Sequence, residues 1–511
     1  MYEINHLAAA LAAGAENRPE TTFAIREDGS RLTHGELFGG AEAIASGLLR
    51  MGLQPDDRVT VQVEKSLDAL QLYLGTVLAG GVFQPLNTAY TGAELAYFIE
   101  DAAPFLVVCD PNAEERTKDI AASTPARPRV ETLAADGTGS LWDHAVSIDA
   151  FEPVARAADD LAAILYTSGT TGRSKGAMLT HGNLASNAVA LKETWHYSES
   201  DVLIHALPIF HTHGLFVATN VTLVSGASML FHTRFDAKAI MDDMARATVL
   251  MGVPTFYTRL LEQPGLAVAA KAMRLFISGS APLLAETHKA WTDVTGHAIL
   301  ERYGMSETNM NSSNPYSGAR RPGSVGLPLP GVDIRVADPE TGRALPPGEI
   351  GSIEIRGPNV FKGYWNMPEK TAAEHRSDGY FITGDLGVFS EDGYLSIVGR
   401  AKDLIISGGY NVYPKEVETV LDQIDGVRES AVFSVPHPDL GEAVIAALVM
   451  KQNAALDDAK VETICREELA RFKHPKRLLT LDALPRNTMG KVEKNKLQSQ
   501  YAELFKLEAQ T

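Results

Sequence analysis

Along the first two thirds of the chain, short apolar runs alternate with helical patterns. Residues 59–63, 105–109 and 161–166 are β-rich runs, and residues 67–78 carry a helical pattern. That alternation predicts βαβ units and largely parallel sheets with helices on both faces. From about residue 335 to 398 the pattern changes to short strands separated by turn dipeptides. These are Asp-Pro at 338–339, Thr-Gly at 341–342, Pro-Gly at 347–348 and Asp-Gly at 378–379 and 392–393. They predict an antiparallel sheet or partial barrel. After Gly-Arg-Ala-Lys-Asp at 399–403 a smaller α+β module follows, with helical patterns at 415–423 and 458–471. A domain boundary is expected there. The apolar stretch at 7–13 follows Glu3 and has no basic segment before it, so an amphipathic surface helix is expected rather than a signal peptide. No run approaches the roughly 18 uninterrupted apolar residues of a membrane span. No fixed-period repeat is visible, and the Ala/Pro-rich stretch 121–129 reads as a surface loop.

Composition narrows the function. The chain has 511 residues, 45% hydrophobic and 22% charged, which implies two to four domains at roughly 100 to 200 residues each and excludes disordered, collagen-like and coiled-coil classes. With 46 basic against 64 acidic residues the net charge is −18. Such a surface repels phosphate backbones and anionic lipid, so neither nucleic acid nor a membrane is expected as a partner. Cys109 and Cys465 stand far apart, outside any CxxC or Cys/His cluster. A disulfide framework and a zinc site are therefore not expected, and a reducing, cytoplasmic setting is.

The strongest local chemistry lies at 166–176, Tyr-Thr-Ser-Gly-Thr-Thr-Gly-Arg-Ser-Lys-Gly, after an apolar strand. Glycines and small hydroxyl residues let consecutive backbone N–H groups turn toward one phosphate, and Lys175 adds a positive charge. A polyphosphate is expected here. The order of residues is not that of a Walker A loop, because Gly172 and Gly176 flank the lysine differently.

Further runs follow in order: Leu-Pro-Ile-Phe-His-Thr-His-Gly at 207–214, Ser-Gly-Ser-Ala-Pro at 278–282 and Glu-Arg-Tyr-Gly-Met-Ser-Glu-Thr at 301–308. Then come Thr-Gly-Asp at 383–385, the run at 399–403, Ser-Gly-Gly-Tyr-Asn-Val-Tyr-Pro at 407–414 and Pro-Arg-Asn-Thr-Met-Gly-Lys at 485–491. In these motifs, over residues 25–500, the chain resembles the adenylate-forming superfamily of acyl-CoA synthetases, adenylation domains and luciferases. The resemblance implies an α/β fold: a large N-terminal domain (1–399) of two α/β sheets plus a distorted β-barrel, a hinge at 400–402, and a small mobile α+β C-terminal lid (403–511).

It also implies an ATP-dependent acid–thiol ligase that passes through acyl-AMP, with ATP, Mg²⁺ and coenzyme A. Thr167, Ser168, Gly169, Thr170, Thr171, Gly172 and Lys175 would hold phosphates. Gly279, Ser280, Ala281, Tyr303 and Gly304, with Glu301, Arg302, Met305 and Ser306 beside them, would face the adenine side of ATP. Glu307 would hold Mg²⁺, which favours few protein oxygens plus substrate phosphates. Asp385 and Arg400 would hold the ribose, and His211 would lie beside the acyl carboxylate, while His213 reads as a half-buried histidine of no special role. Lys491 would stabilise the charge that develops during adenylation and is a candidate for regulatory acetylation. Gly408 and Gly409 would let the pantetheine of CoA pass, and Lys402 would be the hinge.

Within the superfamily, Glu301-Arg302-Tyr303-Gly304 and its surroundings most resemble malonyl-CoA synthetases, which implies malonate and often methylmalonate as the acid. Arg302 would meet the distal carboxylate with its planar fork, and Arg259 is the second candidate. The competing expectations are a short-chain or aryl-CoA ligase, an adenylation module loading a carrier protein, and a non-catalytic descendant, which the intact Lys175, Glu307 and Lys491 disfavour.

Overall fold

The computed structural model describes residues 2–146, 150–167, 174–408, 410–452, 454–487 and 490–505. Elements follow the apolar pattern closely, with strands at Arg58–Gln62, Leu106–Cys109 and Leu161–Thr167. Ser66 starts the helix Leu67–Leu78 by accepting the Ala69 amide with its hydroxyl, and the helix is buried on nearly every side. Near the N-terminus, the helix His6–Ala12 buries Leu7, Ala8, Leu11 and Ala12 on one face.

Two large sheets dominate the first 330 residues. In one, Arg58–Gln62 runs parallel to Val82–Pro85 and Leu106–Cys109, and Leu161–Thr167 adds parallel to Val82–Pro85 before turning back antiparallel into Lys175–Thr180. In the other, Ser228–Phe231, Val202–His205, Val249–Gly252, Leu275–Ser278 and Leu300–Met305 lie side by side and parallel. Their carboxyl ends share one edge, and the crevice outside such an edge is where open α/β sheets bind ligands.

The turn-rich stretch forms an antiparallel sheet of Asp333–Ala337, Gly351–Arg356, Phe381–Phe389 and Leu395–Arg400. Among the described residues its outer strands do not pair with each other, so the expected barrel is an open sheet. Closure needs more strands, tilted and staggered, than these four supply.

Beyond it, Ile405–Ser407, Gly441–Met450, Val427–His437 and Arg477–Thr480 make a separate sheet. Because side chains alternate across a strand, Val432, Val444 and Leu448 pack with Val417, Leu421 and Val461 on one face, while Phe433, Ile445 and Val449 pack with Leu484 and Leu497 on the other. The main core, by contrast, runs from Tyr2 to Leu395. Cys109 and Cys465 are free and buried, and no helix among the described residues is long and apolar enough to cross a membrane.

Candidate active site

Asp385 sits in the middle of the strand Phe381–Phe389, not in a turn, directly opposite Arg400. Opposed residues of an antiparallel pair share a face, and Arg400 Nε lies 3.0 Å from Asp385 Oδ1. Tyr303 donates its hydroxyl to Asp385 Oδ2 at 2.5 Å, and the Asp385 amide donates to the Thr383 hydroxyl at 3.0 Å. Gly384 between them has φ +73°, a left-handed conformation that favours glycine. The carboxylate is thus held by two donors before any ligand arrives.

Glu307 is buried, and burial raises its pKa, opposed by the charge of Lys175 and the hydroxyl of Tyr364. That hydroxyl lies 2.6 Å from Glu374 Oε2 and 3.1 Å from Glu307 Oε1. Lys175 completes the group, with Nζ 3.5 Å from Glu374 Oε1 and 4.1 Å from the centre of the Tyr364 ring. Neither Tyr364 nor Glu374 belongs to a motif read from the sequence. They arrive because Gly363–Tyr364 pairs antiparallel with Ala177 and Met178 of the strand that begins at Lys175. Thr167 and Lys175 face each other at the end of their hairpin from which the connecting residues depart. Ser168, Gly169, Thr170, Thr171 and Gly172, which were expected to hold phosphates, lie outside the described residues, as does Gly409.

At the other end of the crevice several side-chain nitrogens are buried without partners among the described residues. Arg302 is 5% exposed, and its Nε and Nη2 meet no hydrogen-bond partner among the described residues. Burial pulls its pKa down to about 9, so it stays charged at neutral pH. A Cβ on Gly279 would sit 2.3 Å from Arg302 Cζ, so glycine there makes room for the guanidinium. Glu301, the neighbouring residue in the strand, faces the opposite side. It accepts the Gly323 amide at 3.2 Å, and burial lifts its pKa to about 8. It therefore does not pair with Arg302, and by the same alternation it shares the strand face of Tyr303. A Cβ on Gly304 would sit 1.9 Å from the Asn309 carbonyl oxygen across the hairpin of Leu300–Met305 and Asn309–Ser313, so glycine is also required there by the strand pairing.

His211 is held neutral, its pKa lowered to about 3 by burial and then by Lys491 and Arg302. Lys491 is crowded by protein yet keeps solvent contact. Its pKa is lowered by desolvation and then by Arg400, against the pull of Asp385 and Glu307. Its loop is set by mutual bonds with Asn487, at 3.0 Å to the side chain and 2.9 Å from the Asn487 amide to the Lys491 carbonyl. Gly490 of this loop lies close to Thr255 of the body, whose Cγ2 would be 3.7 Å from a Cβ at that position. A second bridge, from Lys451 Nζ to Glu286 Oε1 at 3.0 Å, ties the C-terminal sheet to the same side.

Three expected residues stand apart. Arg259 is exposed in the last turn of the helix Pro254–Leu261, its guanidinium 5.7 Å from the centre of the Phe235 ring, and is not among the buried groups around Arg302. Lys402 is exposed in the 3₁₀ turn Ala401–Asp403. Gly408 is exposed with φ +58°. Ser280, Ala281, Met305 and Ser306 are half-buried along the crevice.

With this geometry in view, the chain matches the family model described as AMP-binding enzyme over residues 11–365 and that of the AMP-binding enzyme C-terminal domain over 416–491. It is 35% identical to a malonate–CoA ligase of Arabidopsis thaliana, covering 93% of this chain and 85% of the relative. It is 36% identical to a feruloyl-CoA synthase of an Amycolatopsis species, over 95% and 97% of the two chains. Among solved structures, ATP-bound MatB of Rhodopseudomonas palustris is 57% identical and superimposes with a TM-score of 0.95 over 98% of this chain and 99% of its own.

Proposed function

We propose, from the premise that this chain belongs to the AMP-binding enzyme family, that it is an AMP-forming ligase making malonyl-CoA from malonate, ATP and CoA. One observation carries the choice of acid: a buried, charged guanidinium, Arg302, with two unpartnered nitrogens beside His211 and Lys491. A buried unpaired charge is strongly unfavourable, and a planar second carboxylate satisfies it with two parallel hydrogen bonds. An aryl or short-chain monocarboxylate would leave it bare. Methylmalonate carries the same carboxylate and belongs in the same pocket.

In the first half-reaction a malonate oxygen attacks the α-phosphorus of ATP, and the bond to the departing pyrophosphate breaks, leaving malonyl-AMP. In the second, the CoA sulfur attacks the acyl carbon and AMP leaves. Positioning and charge stabilisation dominate such chemistry. We assign the ribose to Asp385 and Arg400, the phosphates to the loop flanked by Thr167 and Lys175, and the adenine to the half-buried stretch around Ser280, Ala281 and Tyr303. Glu307 fits Mg²⁺, offering one buried carboxylate steadied by Tyr364, where substrate phosphates and water supply the other ligands. The ion, when bound, neutralises phosphate charge. His211, held neutral, orients the reacting carboxylate, and Lys491 meets the charge that develops on the adenylating oxygens.

The C-terminal part would act as a lid (403–511) on the body (1–399), pivoting at Lys402 so that Gly408 and Gly409 replace Lys491 beside the acyl group and admit pantetheine. The separate cores of the two parts support this. Acetylation of Lys491 would remove its charge, and mass spectrometry of the native protein tests for it. The buried free cysteines suit a reducing cytoplasm. The deciding experiment is AMP release from a panel of acids with ATP, with and without CoA. Malonate as the preferred acid, in a reaction that yields malonyl-CoA, supports the reading, whereas a preference for butyrate or ferulate defeats it.

A further inference from the structure

We propose that His213 is a second specificity-determining residue for the distal acid group, presenting its Nε2–H to the same anion as Arg302. This rests on the diacid reading above. Strand Leu275–Ser278 ends in two residues that connect the pair: Gly279, whose missing side chain leaves room for the Arg302 guanidinium, and Ser280, whose Oγ lies 3.1 Å from His213 Nδ1. Ser280 holds φ +71°, a conformation that non-glycine residues adopt only where their surroundings impose it. We assign the Ser280 hydroxyl as the donor to Nδ1, which places the imidazole proton on Nε2.

His213 is 1% exposed and its Nε2 meets no partner among the described residues. A buried N–H without an acceptor is rare in folded proteins and marks a place where a ligand atom belongs. Arg302 is the strongest charge acting on the ring and, with burial, keeps it neutral. The imidazole therefore offers a directed donor and no second positive charge. A carboxylate has about four lone-pair sites, enough for Arg302 Nε, Arg302 Nη2 and His213 Nε2 together. An alkyl end satisfies none of the three.

The test uses the full-length enzyme and the ratio of kcat/KM for malonate to that for butyrate. If the wild type prefers butyrate, the diacid reading itself fails, whatever His213 does. If it prefers malonate, His213→Leu should lower the ratio by about 10- to 100-fold, chiefly through the KM for malonate. His213→Gln, whose amide nitrogen reaches the place of Nε2, should keep the ratio within about threefold, while His213→Asn, which reaches only the place of Nδ1, should behave like the leucine variant. Equal losses for both acids in His213→Leu, or glutamine and asparagine variants that are alike, would overturn the proposal. Should the leucine variant fail to fold, the glutamine and asparagine pair decides.

Discussion

The two ends of the crevice are built on opposite principles. Around Asp385 and Glu307 the charges are already paired: Arg400 and Tyr303 on one carboxylate, Tyr364 between Glu307 and Glu374, Lys175 against the latter. Around Arg302 the donors are buried and unpaired. The paired end is preorganised and loses little on binding, because its dipoles already point where ligand charge will lie. The unpaired end is destabilised until an anion enters, so it discriminates strongly. A site that buries polar groups for one substrate rejects the analogue that leaves them unmet far more effectively than an apolar pocket rejects a missing methylene.

The sharpest way to break this contrast is to remove the unpaired charge. Arg302→Leu should reduce kcat/KM for malonate by roughly 30-fold to several thousand-fold, since truncating one partner of a buried charge pair costs about 2 to 5 kcal/mol. Butyrate should be spared or improved. An unchanged malonate-to-butyrate ratio would reject Arg302 as the selector and return attention to Arg259.

Lys491→Ala tests the point where the two ends meet. It should slow malonyl-AMP formation by about 10²- to 10³-fold, the usual loss of one stabilising donor, yet leave thioester formation from supplied malonyl-AMP largely intact. Equal losses in both half-reactions would show that the lysine has no role particular to adenylation.

At the paired end the effects should be smaller. Tyr303→Phe removes one of two donors to Asp385 and leaves Arg400 in place, so the KM for ATP should rise by about tenfold, in line with a hydrogen bond to a charged group. Titration of ATP against AMP release measures it, and a change confined to the malonate KM would contradict the division of the crevice.

The smallest effect is on stability and concerns Glu301, on the strand face away from Arg302. Its folded pKa, about 8, lies above the ordinary carboxylate value of 4.5, so between those values the folded chain holds a proton that the unfolded chain has lost. Stability therefore falls as pH rises through that window. Glu301→Gln keeps an acceptor for the Gly323 amide and cannot ionise, so its Tm should fall less than that of the wild type between pH 5 and 8. Parallel Tm profiles would show that the carboxyl ionises freely in the fold.

Much of this was legible in the sequence. The helix at 67–78 and the strands near 59, 106 and 161 could be read because burial imposes a period on local sequence, and Lys175, Asp385, Arg400 and Lys491 stood in runs whose glycines and charges are themselves the device. The separation of Glu301 from Arg302 is also local, a consequence of side chains alternating along a strand. Tyr364 and Glu374 could not be read, because nothing in residues 363–374 records that their strand will pair beside Lys175. The reason for Gly279 was equally hidden, since a glycine explained by a guanidinium 23 residues later has no local signature. Likewise the turn-rich stretch specified short antiparallel strands, while whether they closed into a barrel depended on how many could pair. Sequence by itself determined the elements, the order of the motifs and the types of group available for chemistry, all set by interactions over a few residues. Tertiary structure alone decided which buried charges found partners and which were left for a ligand, because pairing across a crevice depends on the packing of whole sheets rather than on any segment within them.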